Sequence, residues 1–118
     1  MSQLIFKIES ADVWQSAQAV GVYTGAPVDV ADGFIHFSAG DQVAGTLGKH
    51  FAGRKALLLI AVDAARLGSD LHWEVSRAGA LFPHLYAHLA IDAVADTRPI
   101  PDDHDLSGFA DWGIEPEW

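Results

Sequence analysis

No cysteine occurs among the 118 residues. That absence excludes a disulfide framework, a thiolate metal site and a cysteine nucleophile. It fits a reducing compartment, and the cytoplasm is the expected location. Basic residues are also scarce, 7 against 16 acidic ones, for a net charge of −9. General binding to nucleic-acid backbone or to an anionic membrane needs basic patches and is not expected. A small neutral or locally clamped ligand remains compatible with this charge. The longest apolar run, residues 56–62, is far too short to cross a bilayer. Met1-Ser2-Gln3 leads into an apolar strand without the basic region of a signal peptide, so none is expected. G-x-S-x-G, the P-loop and G-x-G-x-x-G are all missing, which removes the usual serine-hydrolase elbow and the common phosphate-binding loops.

What is present is an ordinary globular composition, half hydrophobic and 19% charged. One domain over 1–118 is expected, with a core at about 4–95 and a tail at 96–118 that docks through Trp112. Residues 4–8 alternate as a strand, with Ile5 and Lys7 on one face. Ser10 caps a helix over 10–20 that Gly21 stops. Residues 22–31 read as a loop. Residues 33–38 form a strand with Phe34, His36 and Ser38 on one face and Ile35 and Phe37 on the other. Ser38 and Asp41 then form a capping box for a helix over 40–51. Residues 56–62 are apolar on both faces, as in a central strand. Asp63 caps a single turn, 71–75 alternate again, and 82–94 form two strands around a bend before Pro99 and Pro101 break the pattern. The result is an α+β domain with a mixed sheet and two main helices.

Three short segments hold residue types that carry chemistry. His36 is either a histidine satisfied within the packing or a ligand-facing group beside Ser38 and a helix start. His72 and Glu74 leave one strand face about 7 Å apart, which suits an acid/base pair or a solvated polar edge. In Phe82-Pro83-His84-Leu85-Tyr86, proline fixes the backbone while His84 and Tyr86 point the same way, toward a ligand ring or toward solvent. His84 and His88, with His72, Glu74 or His36, raise a metal-dependent hydrolase as a further reading. H-E-x-x-H is absent, however, and Phe82-Pro83 argues against a helix that would align the two imidazoles, so no metal site is assigned.

D-G-F-I-H-F-S at 32–38, Gln42-Val43 with Phe51, and Glu74 followed by F-P-H-L-Y at 82–86 together resemble a bacterial family, domain of unknown function 952. The resemblance covers roughly residues 4–95. It implies a fold similar to the ADP-ribosyltransferase superfamily, a split mixed sheet around an NAD-binding cleft. On that resemblance Lys7 takes the first-strand position, where histidine is expected, and His36 to Ser38 take the second. Glu74 is the later carboxylate. Glu74 and His36 would be catalytic, with Lys7, Ser38, His84 and Tyr86 binding the ligand and NAD as substrate. The alternative is a non-catalytic module that holds a small metabolite or peptide in the same cleft.

Overall fold

The computed structural model describes residues 3–115; Met1, Ser2 and the last three residues of the expected tail lie outside them. Strand β1 (Leu4–Ser10) feeds directly into helix α1 (Ala11–Val20). The Ser10 side chain accepts from Val13 N at 3.4 Å, and Gly21 closes the helix at φ 96°. The expected loop at 22–31 instead holds strand β2 (Val22–Tyr23) and a short helix α2 (Pro27–Asp32). Proline at its first position pre-sets the helical angle, and the Asp29 side chain accepts from Ala26 N at 2.7 Å. Six residues are too few to show a helical apolar period, so composition alone pointed to a loop.

Strand β3 is only Ile35–His36, because the chain there passes from one sheet to another. Phe37 N donates to Pro83 O on one side, and Ser38 exchanges both backbone hydrogen bonds with Phe6 on the other. Helix α3 begins at Val43 and ends at His50, three residues later than the expected start. The capping box with Asp41 does not form. The Ser38 hydroxyl lies 2.9 Å from Thr46 Oγ1, and Gln42 Oε1 takes up Ala39 N instead.

Strands β4 (Leu57–Asp63), β5 (Leu71–Val75) and β6 (Leu81–Leu85) follow, then β7 (Leu89–Ala90) and β8 (Val94–Ile100). Asp63 caps the turn after β4 by accepting from Ala65 N. Among the described residues the strands form three sheets, ordered β1-β4-β8, β2-β7 and β3-β6-β5. All of the pairs are antiparallel, which corrects the expected mixed sheet. Apolar pattern identifies strands, but direction depends on how the crossovers return, which alternation does not encode. Pro99 sits inside β8 without breaking it, since β8 is an edge strand. The sheet therefore runs to Ile100, beyond the expected core limit at 95.

β4 is covered on both faces. One face carries Leu57, Leu59 and Ala61 into a core with Phe6, Ile8, Val43 and Leu47. The other sends Ile60 and Val62 against Trp14, Tyr23, Ile35 and Leu85. The tail closes the first core with Leu106, Phe109 and Ile114, and Trp112 stacks on Phe6 at 5.9 Å between ring centroids. It comes so close that a Cβ on Gly40 would stand 2.3 Å from the Gly113 carbonyl oxygen. These elements form one small α+β domain of antiparallel sheets and few helices.

Candidate functional site

β1 and the segment after β3 are joined at a single bridge, Phe6 to Ser38, and diverge beyond it. The gap is a cleft of about 840 Å³, a size suited to a small-molecule ligand. Alternation along β1 turns Lys7 and Glu9 the same way, and both line the cleft. His36 and Ser38 reach it from the 33–38 segment and His84 from β6. α3 and the residues after it supply Thr46, Lys49, His50 and Arg54. Four of the six sequence-derived site residues, Lys7, His36, Ser38 and His84, therefore share one cavity. Glu74 and Tyr86 do not line it.

Lys7 is buried, and its ammonium is neutralised by Asp29 at 2.8 Å. Asp29 is 2% exposed and accepts four hydrogen bonds: from Lys7 Nζ, Ala26 N, His36 N and His36 Nδ1, the last at 2.6 Å. Burial pushes its carboxyl up, but the His36 hydrogen bond and the Lys7 charge more than reverse this and hold the pKa at about 2 against an ordinary 3.8. Gly25 makes room for this carboxylate: its φ is 108°, and a Cβ there would lie 2.8 Å from Asp29 Cβ. His36 Nε2 meets Asp32 Oδ2 at 3.0 Å, so both ring nitrogens are engaged. His36 is thus held on the wall by carboxylates at both ring nitrogens, with neither left to take a proton from a ligand.

Across the strand pair, His84 is the register partner of His36, with ring centroids 5.5 Å apart. Its Nδ1 meets Glu74 Oε1 at 2.7 Å, and the Tyr86 hydroxyl donates to the same oxygen at 2.7 Å. These two hydrogen bonds, Tyr86 first and His84 second, hold the Glu74 carboxyl below its usual range. Tyr86 is pushed up by the same bond. Phe34 stacks on the His84 ring at 4.1 Å and fixes its plane. With Nδ1 engaged by Glu74, Nε2 is the ring nitrogen available to a ligand, the arrangement of an oriented general base. Glu74 reaches the cleft only through His84, although alternation had correctly placed it on this side of β5.

Sequence reasoning missed Asp29, Glu9 and the cleft-lining Thr46, Lys49 and Arg54. Glu9 is buried on the cleft floor and accepts from the Tyr23 hydroxyl and from Ser10 N. Burial, then that hydrogen bond, pushes the Tyr23 phenol far above its ordinary 10.0, so it stays a donor. The signal for Glu9 was the alternation K-x-E on one strand face. A buried Lys7 also demanded a carboxylate, but nothing in the pattern singled out Asp29. His88 is exposed while His84 is buried. Among the described residues no three His, Asp or Glu side chains are grouped as a metal ion needs, so the geometry lends the metal-dependent hydrolase no support.

The chain matches the family described as protein of unknown function DUF952 over residues 8–97, and it belongs to that family. Among solved structures it is similar to the crystal structure of protein CC0527 from Caulobacter crescentus, at 46% identity and a TM-score of 0.84. That match covers 89% of this chain and 96% of the other. It is also similar to the solution NMR structure of the same Caulobacter protein, at 44% identity and a TM-score of 0.78, covering 95% of this chain and 98% of the other. No curated protein matches. Among the described residues no helix is long and apolar enough to cross a membrane.

Proposed function

We propose that the cleft binds NAD or a related ribosyl-phosphate ligand, in a fold similar to that of the ADP-ribosyltransferases. The observation that carries this reading is the convergence of Lys7, His36, Ser38 and His84 on one cavity where the sheet divides. Lys7 occupies the first-strand position such a ligand needs, with its ammonium fixed by Asp29. His36 and Ser38 form the second wall. His84 presents Nε2 toward the reacting end, and Glu74 and Tyr86 set its orientation. The carboxylate able to meet a ribose hydroxyl directly is Glu9 rather than Glu74.

A second reading, a non-catalytic binding module using the same cleft, is favoured by two features. Both nitrogens of His36 are occupied, and Glu74 stands behind His84. Titration of NAD followed by NMR or calorimetry tests the ligand, and NAD turnover in the same samples separates the two readings. Binding that weakens on His36→Ala supports the proposal. No binding at millimolar NAD removes it.

A further inference from the structure

The cleft gathers basic side chains in a protein that has few. Among the described residues, three of the chain's seven lysine and arginine residues line it, although the chain carries 16 acids. Lys7 is neutralised by Asp29, and the lining carboxylates Glu9 and Asp32 are engaged by Tyr23 and His36. Lys49 and Arg54, by contrast, meet no carboxylate within 4.0 Å among the described residues. Their placement follows from helix geometry. Thr46, Lys49 and His50 are spaced i, i+3, i+4 and share a face of α3, while Val43 and Leu47 enter the core. The contact between Ser38 Oγ and Thr46 Oγ1, 2.9 Å, ties that face to the cleft wall, and Lys49 and His50 follow one turn further on. Arg54 lies beyond the helix end, its guanidinium held 5.1 Å from the centre of the Phe51 ring.

We infer that Lys49 and Arg54 form a subsite for the pyrophosphate of a dinucleotide or nucleoside diphosphate, an inference that rests on the ribosyl-phosphate reading of the cleft. Lysine supplies a point charge and arginine a two-pronged donor, the combination that suits adjacent phosphate groups. The competing role for Lys49 is to complement the carbonyl end of α3, which would involve no ligand.

The test titrates inorganic pyrophosphate, and separately NAD, into the full chain, a Lys49→Gln/Arg54→Gln variant and a Lys55→Gln control outside the cleft. Both cleft residues are exposed, so the variant is expected to fold, with circular dichroism as the check. Pyrophosphate affinity falls roughly tenfold or more in the double variant and is unchanged in the control. Equal affinity in the unaltered chain and the double variant, or no pyrophosphate binding at all, overturns the subsite. A lowered melting temperature with unchanged affinity also overturns it and leaves helix capping as the role. A pyrophosphate response of the expected kind without NAD binding keeps the subsite and removes the ribosyl reading. NAD binding indifferent to both substitutions does the reverse.

Discussion

His36 and His84 face each other across paired strands, and each meets a carboxylate through Nδ1, yet the two pairs are built in opposite senses. In the first, the carboxylate is buried and the ring partly exposed: the Asp29 side chain is 1% exposed and that of His36 33%. In the second the ring is buried and the carboxylate exposed, 6% for His84 and 41% for Glu74. Asp29 collects four donors and cannot turn away, and His36 is fixed on both sides by Asp29 and Asp32. Glu74 is wet and holds only one ring nitrogen of His84. The lesson is that one residue pair serves two purposes according to which partner is desolvated. A buried carboxylate builds structure, whereas a buried ring with one unclaimed nitrogen is equipped for proton transfer.

Four substitutions or conditions sharpen or break that contrast. The largest effect is expected from Asp29→Asn, which leaves the buried Lys7 ammonium without its counter-charge. Chemical denaturation should show a loss of about 3–5 kcal/mol, and a loss no larger than that of an exposed Asp→Asn control would dissolve the distinction. Acid comes next. The Asp29 pKa is lowered on folding, so its contribution is complete above the ordinary 3.8 and is lost as pH falls through about 2. Stability should therefore drop by about 2 kcal/mol between pH 4 and pH 2, and Asp29→Asn should abolish this share of the slope. His36→Gln removes the ring that bridges Asp29 and Asp32 but leaves Lys7 paired. About 1–2 kcal/mol is expected, measured against the same baseline. Glu74→Ala should affect stability least, because Glu74 is half-exposed. Its signature is instead a His84 ring proton released from Nδ1, seen in ring nitrogen shifts. Strong destabilisation without any tautomer change would mean that this pair is structural too.

Much of this site is legible in the sequence, because strand alternation is a local rule. It put His36 and Ser38 on one face, Lys7 with Ile5 on another, and marked β4 as covered on both sides. What escaped depends on tertiary encounters. Asp29 sits in a helix of six residues opened by Pro27, too short for a period, and its importance comes from Lys7, 22 positions away. Ser38 looked like a cap because of Asp41, but pairing with Phe6 fixes its backbone and leaves the hydroxyl to Thr46. Glu74 was given the right face and the wrong neighbour, since the face does not reveal that His84 stands between it and the cleft. Pairing direction, mixed in expectation and antiparallel in fact, was lost for the same reason.

The proposed site depends most on Nε2 of His84, which has no hydrogen-bond partner among the described residues, and nitrogen-15 NMR of the imidazole rings, recorded with and without NAD, reads it directly. The neutral His84 ring should carry its proton on Nδ1, and the Nε2 resonance should shift as NAD is added. A His84 proton on Nε2, or a ring indifferent to millimolar NAD, would contradict the proposed site.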